Sequence, residues 1–176
     1  MITETAYSRF PRVQIWRRGA AFGIDFLGVW LLSSLLAGNT FAFVVVFGLG
    51  WLGERVFLVY RNQGQSLGRY ALDMKVLDPD LGKVPGLQIL AKREAIVGFC
   101  ALLAGIAFNN FLTDAGIVLL LIPLAIDCGL ALGDPQGRQA IHDRLARTII
   151  VSTHRGYSLD LKVKRLVAQV RSRVRR

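Results

Sequence analysis

Histidine, cysteine and methionine are scarce in this chain, with two residues of each. Two cysteines, Cys100 and Cys128, cannot build a disulfide framework, and both sit in apolar surroundings where a free thiol behaves as a small hydrophobe. The spacings of a zinc site are missing, and a His142 beside Asp143 is an incomplete metal shell, so a capping or docking role is expected for that pair. His154 reads as a loop residue. The segment Gly64-Gln65-Ser66-Leu67-Gly68-Arg69 lacks the Gly-Lys-Ser/Thr ending of a phosphate loop and reads as a helix start. No nucleophile with its base and no cofactor loop is present, which argues against an enzyme and against a bound cofactor. The first 18 residues are polar and lack the apolar core of a signal peptide, so the first apolar run is expected to stay in the mature protein.

Charge is the next thing in short supply. Only 19% of the 176 residues are charged, while 53% are hydrophobic and the mean hydropathy is +0.43. The net charge of +10 is confined to three blocks separated by long runs almost free of Lys and Arg. A nucleic-acid binder spreads its basic residues over a solvated face, so that class is set aside. Four apolar runs approach the roughly 20 residues that a hydrocarbon layer of about 30 Å demands. They cover about 19–37, 39–60, 94–112 and 115–133, and tight links join them as two helical hairpins.

The basic residues orient these runs. The arm carries Arg9, Arg12, Arg17 and Arg18, and the loop 61–93 carries Arg61, Arg69, Lys75, Lys83, Lys92 and Arg93. The chain after the fourth run carries eleven more, from Arg138 to Arg176, and the links near Gly38 and Thr113 carry none. Only four spans with both termini inside satisfy the positive-inside rule. The expected fold is therefore an all-α membrane protein, a four-helix transmembrane bundle. Its organisation is a basic arm 1–18, a transmembrane domain 19–152 and a basic tail 153–176. Within the loop, Met74 to Val84 reads as a strand, a turn around Asp78-Pro79-Asp80 and a returning strand, with Thr148 to Val151 able to pair against this hairpin as a small cytoplasmic cap. Pro123 should kink helix four, and Gly48, Gly50 and Gly53 should let helix two pack closely.

From Asp160 onward, Val163, Leu166, Val167, Val170 and Val174 recur at helical spacing. Lys162, Lys164, Arg165, Arg171, Arg173, Arg175 and Arg176 fill the remaining faces. That is an amphipathic basic helix suited to an anionic inner leaflet or to an acidic partner.

Four ionisable residues fall inside the apolar runs: Asp25, Glu54, Arg55 and Asp127. Each lies five or six residues from the cytoplasmic end of its run, roughly 8 to 10 Å deep at about 1.5 Å per residue. Such groups are costly in a membrane and need a partner or a wet cavity. Arg55 is expected to neutralise at most one of the three carboxylates, leaving about two negative charges to be resolved by a proton, water, a cation or outward orientation. Two readings follow. Asp25 and Asp127 could be titrating ligands of a cation or proton site with Arg55 as internal counter-ion, or Asp25 and Arg55 could form a salt bridge that only fixes packing. Arg18, two turns before Asp25, could cap this layer.

Three motifs add a resemblance: Arg18-Gly-Ala-Ala-Phe-Gly-Ile-Asp25, then Gly64-Gln-Ser-Leu-Gly68-Arg69 leading to Met74-Lys75-Val76, and Ile141-His142-Asp143-Arg144-Leu145-Ala146-Arg147-Thr148. Over roughly residues 12 to 152 the chain resembles the RDD family of membrane proteins, named for one arginine and two aspartates, which correspond to Arg18, Asp25 and Asp143. The resemblance implies transport of an unidentified ligand, with cation exchange the usual suggestion. Arg147 departs from it, standing where members often have a small residue, and the tail lies outside it. The competing expectation is a non-catalytic assembly or scaffold subunit that binds a membrane-protein complex through its cap and basic tail. Transport through only four helices would call for a homo-oligomer. Tags inserted near Gly38 and Thr113 are expected to be labelled from outside intact cells and tags at either terminus only after permeabilisation; a terminus labelled from outside overturns the topology.

Overall fold

The computed structural model describes residues 13–111, 115–133, 139–153, 159 and 161–163. It is mostly helical. Helix α1 spans Ile15–Leu36 and α2 spans Thr40–Arg61, the latter interrupted by a π-helical stretch, Gly53–Leu58. A short α3, Leu67–Ala71, precedes strand β1, Met74–Leu77. The longest helix, α4, is Leu87–Asn110. A 3-10 run, Ala115–Leu121, then leads into α5, Ile122–Leu132, and the described chain closes with α6, Ile141–Leu145, and β2, Ile149–Ser152.

Both α1 and α2 are long and apolar enough to cross a membrane. Their link is tight because Ala37 leaves the helical region and the Asn39 side chain accepts a 2.8 Å hydrogen bond from the Ala42 N–H, capping α2 at once. Only 28% of the apolar stretch of α1 and 33% of that of α2 is buried inside the protein. The core helix of a soluble domain buries most of such a stretch, whereas here Leu31, Leu35, Phe41, Leu49 and Phe57 face outward together with Phe99, Leu119 and Ile126 from later helices.

What α1, α2 and α4 bury against one another is aromatic on two helices and small on the third. Phe26 and Val29 of α1 and Phe43, Phe47 and Trp51 of α2 pack on Val97, Ala101 and Ala104 of α4. Phe47 stacks on Trp51 with ring centroids 5.7 Å apart. Close approach depends chiefly on α4: a Cβ at Gly98 would sit 2.6 Å from Trp51 Nε1, whereas of the α2 glycines Gly50 alone has a near neighbour, Val29 Cγ1 at 3.3 Å, and Gly48 and Gly53 face open space. The large rings of α2 need a neighbour without side chains, which α4 supplies.

Three further expectations are corrected. Helix α4 begins seven residues earlier than the apolar run, because Pro85-Gly86 ends the loop and Leu87, Ile89 and a fully buried Leu90 already make helical contacts, which draws Arg93 and Glu94 into the bundle. Pro123 lies in the first turn of α5, where its missing N–H leaves no bond unmade, so it starts the α-helix after the 3-10 run and kinks nothing. The strand returning from the Asp78 turn does not form. The second edge of β1 is taken by the loop before it: Val76 N–H donates to Gly64 O at 2.9 Å and Gln65 Nε2 to Met74 O at 2.8 Å. β1 pairs instead with β2, antiparallel, from Met74 opposite Ser152 to Leu77 opposite Ile149. The sheet packs through Met74, Val76 and Ile150 onto Ala21, Val56, Val59 and Leu90 at the ends of the long helices.

Of the basic tail, residues 161–163 are helical and exposed, Lys162 among them. Lys164, Arg165, Arg171, Arg173, Arg175 and Arg176 lie outside the described residues, as do His154, Asp114 and most of the arm.

The turn into α3 is where a side chain cannot be added. Gly64 has φ +89°, and a Cβ there would stand 2.5 Å from Val76 O. Gly64→Ala is expected to destabilise the protein by more than about 1 kcal/mol, read as a lowered melting temperature in detergent, whereas Gly48→Ala, in open helical space, should leave it unchanged or raised; equal effects at the two positions would refute this account of the turn.

Candidate functional site: a buried ionic network

The charges meet where the polar ends of the long helices abut α3, α6 and the sheet. Asp25 is 1% exposed and its carboxylate is saturated. Oδ1 accepts the Gly68 N–H at 2.5 Å, and Oδ2 accepts the Ser66 hydroxyl and Arg55 Nη1, both at 2.6 Å. Ser66 is also the N-cap of α3, taking a hydrogen bond from the Arg69 N–H, so one hydroxyl starts the helix and docks it on α1. Docking is close: a Cβ on Gly68 would lie 2.1 Å from Ala21 O. Glu54, partly buried on the π-helical stretch, stands beside Asp25, and its Oε1 is buried with no hydrogen-bond partner among the described residues.

Arg55 does more than neutralise one acid. It bridges Asp25 to Glu94, donating to Glu94 from Nε at 3.0 Å, while its guanidinium also lies 5.1 Å from the centre of the Trp51 ring. Glu94 collects three guanidiniums: Arg55, Arg69 at 3.1 Å, and its chain neighbour Arg93. Arg93 carries the network on to Asp143, from Nε at 3.0 Å and from Nη2 at 2.8 Å. The same Asp143 is ion-paired with Arg18, so the α1 arginine meets an α6 aspartate across 125 positions of sequence.

Asp127 does not meet Asp25 or Arg55. It is bound to His142, whose backbone N–H donates at 3.1 Å and whose Nδ1 lies 2.6 Å away. His142 Nε2, on the other side of the ring, lies 3.1 Å from Arg93 Nη2 and 3.4 Å from Asp143 Oδ1. Asp127 therefore joins the network through the imidazole.

The expectation of a layer two charges too negative does not hold. Four guanidiniums, Arg18, Arg55, Arg69 and Arg93, stand among Asp25, Glu94, Asp127 and Asp143, with Glu54 as a fifth acid. By sequence Arg69 and Arg93 fall in the loop 61–93 and Glu94 at the start of the third apolar run. The Lys92-Arg93-Glu94 triplet beside an apolar run and the N-cap Ser66 were the signals available for them; neither says that the side chains turn inward.

Electrostatics follow from this packing. Burial alone would raise the Asp143 carboxyl, but the Arg18 and Arg93 guanidiniums outweigh it and hold the group below the usual carboxylate range. Burial lowers the Arg69 guanidinium, and the charges of Arg55 and Arg93 lower it further against the pull of Glu94. Among the described residues no three His, Cys, Asp or Glu side chains converge as a metal shell.

A depressed folded value means that Asp143 stabilises the fold above its unfolded pKa of about 3.9 and loses that contribution as pH falls below it. Melting temperature is thus expected to stay level from about pH 7 to 5 as far as Asp143 decides it. Asp143→Ala, which strands Arg18 and Arg93, should cost about 3 to 5 kcal/mol at neutral pH. A variant as stable as the parent at pH 7 would refute the pairing.

No curated protein and no solved structure matches the chain. A family model described as the RDD family matches residues 12–147, a stretch that holds Arg18, Asp25 and Asp143 together with both ends of the ionic network. The chain belongs to the RDD family.

Proposed function

We propose that the protein is a multi-pass membrane transporter that exchanges protons for a small cation through the acid pair Asp25 and Glu54. In this reading α1, α2, α4 and the 115–132 segment all cross the bilayer, both termini are cytoplasmic, and the sheet with α3 and α6 forms the inner cap. The tail, Lys162 included, rests on anionic lipid, and two or more copies assemble to complete the pathway. The confinement of basic residues to arm, middle loop and tail supports that orientation. The apolar faces left exposed on α1 and α2 support the lipid contact.

One observation carries the transport reading: at the π-helical break of α2 the Glu54 carboxyl stands beside the Asp25 carboxylate, with Glu54 Oε1 buried and without a hydrogen-bond partner among the described residues. Two adjoining carboxyls repel when both are ionised, and a proton on one of them removes that repulsion. With that proton present, the four guanidiniums and four remaining carboxylates balance. Its loss leaves one negative charge in excess. A small cation entering beside Glu54 restores neutrality, so proton release and cation uptake are coupled by charge. Asp25 is held rigid by Arg55, Ser66 and Gly68, and Glu54 is the member of the pair free to exchange. π-Helical turns frequently mark functional positions in helices, which fits this placement.

The test uses the full chain in proteoliposomes with an internal pH dye and an imposed gradient of sodium or potassium. Glu54→Gln keeps the shape and removes the titrating group, and it is expected to reduce cation-driven pH change at least about tenfold, within the range that positioned acid–base groups contribute to proton transfer, while its elution and melting stay those of the parent. Parental flux in a well-folded Glu54→Gln variant rejects the reading.

A further inference from the structure

Beside the network lies a cavity of about 110 Å³ whose lining does not include Glu54. Its polar lining is basic: Arg18, Arg55, Arg69, Arg93 and His142 border it, and among the described residues no carboxylate does. The acids that neutralise these arginines lie behind them. The rest of the wall is largely apolar, Val97 and Ile150 included. One donor is unused: Arg69 is 2% exposed, and its Nη1 is buried with no hydrogen-bond partner among the described residues, although its Nη2 reaches Glu94.

An unsatisfied buried donor costs about 1 to 3 kcal/mol, more when it is charged. Proteins rarely leave a guanidinium in that state without a ligand or water to receive it. Several guanidinium forks around one small space match an oxyanion, whose oxygens accept two or more N–H donors at once. The volume is several times that of one water and below the roughly 150 Å³ of a cavity that accepts benzene, which suits a tetrahedral oxyanion of a few heavy atoms. The same surroundings repel a cation.

We propose that this cavity is an anion site for a phosphate-type oxyanion, either free inorganic phosphate or the phosphodiester of an anionic lipid, held by the guanidiniums that border it, a turn of the Arg69 side chain bringing its unpartnered Nη1 to the ligand. This goes beyond the exchange proposed for Asp25 and Glu54 and does not rest on it, since the cavity lining includes neither of those acids and the two sites use groups of opposite sign. The bound anion would relieve the mutual repulsion of Arg55, Arg69 and Arg93, consistent with the lowered Arg69 guanidinium.

The experiment is thermal unfolding and titration calorimetry on the delipidated full chain in detergent, in phosphate-free buffer of constant pH and ionic strength. One arm adds sodium phosphate against sodium chloride. The other adds short-chain phosphatidylglycerol against short-chain phosphatidylcholine, which carries the same phosphodiester without net charge. A saturable rise in melting temperature with phosphate identifies the free anion, and a rise with phosphatidylglycerol alone identifies the lipid; either supports the site. Arg69→Gln is expected to weaken that binding at least about tenfold, the loss of roughly one charge-assisted hydrogen bond, with Arg69→Lys recovering part of it. If Arg69→Gln does not fold, Ala131→Leu, which narrows the cavity without touching a charge, is expected to weaken binding instead. Equal shifts with chloride and with phosphatidylcholine, no binding in either arm, or unchanged binding in a folded variant overturns the proposal. Because the readout is binding, it stands or falls separately from any flux through Glu54.

Discussion

Charge buried at the end of an apolar bundle is the constraint on which the remainder depends. A single ionised group there would cost several kcal/mol, and a pair is tolerable only with good geometry and full hydrogen bonding. The protein meets this collectively. Arg55 and Arg93 each touch two acids, Glu94 receives three guanidiniums, and Asp143 is shared by Arg18 and Arg93. Removing any member strands its neighbours, so the network behaves as one unit and not as a sum of separable bridges.

That unit explains why a cap exists. α3 supplies Ser66, the Gly68 N–H and Arg69, and α6 supplies His142 and Asp143; without them Asp25 and Arg93 would face each other's surroundings half satisfied. The two strands hold these short helices in place by joining the segment after α3 to the segment after α6. Two residues of α1 are thereby the joints of the assembly: Arg18 ties α1 to α6 through Asp143, and Asp25 ties α1 to α2 and α3. Away from the cap, packing changes character. Aromatic rings of α1 and α2 fill against the small residues of α4, with no charge to satisfy.

The network leaves two kinds of buried atom without a partner among the described residues: a carboxyl oxygen, Glu54 Oε1, at the π-helical break, and a guanidinium nitrogen, Arg69 Nη1, in the cap. A neutral whole is compatible with such polarity because each charge needs only one well-placed partner. Its remaining lone pairs or N–H groups can face elsewhere. This is how one set of residues can offer sites of opposite sign a short distance apart.

Legibility in the sequence followed the length scale of the interaction. Hydrophobic run length is local, so two membrane-length helices were readable, as were the charged positions Asp25, Glu54, Arg55 and Asp127 inside apolar runs. The β-branched run before Ser152 marked a strand, and its pairing with the Met74 segment was readable. That no strand returns from the Asp78 turn was not readable, because the Gly64–Gln65 loop takes the other edge of β1 only once the chain is folded. Likewise Glu94, Arg93 and Arg69 carry no local mark of burial: a helix that starts seven residues early and a glycine that lets α3 settle on α1 turn them inward. The sequence by itself determined which segments are apolar and which charges those segments contain, since both are properties of neighbouring residues. Tertiary structure alone decided which charges meet, because ion pairs such as Arg18 with Asp143 are formed by distance in space, and sequence separation carries no record of it.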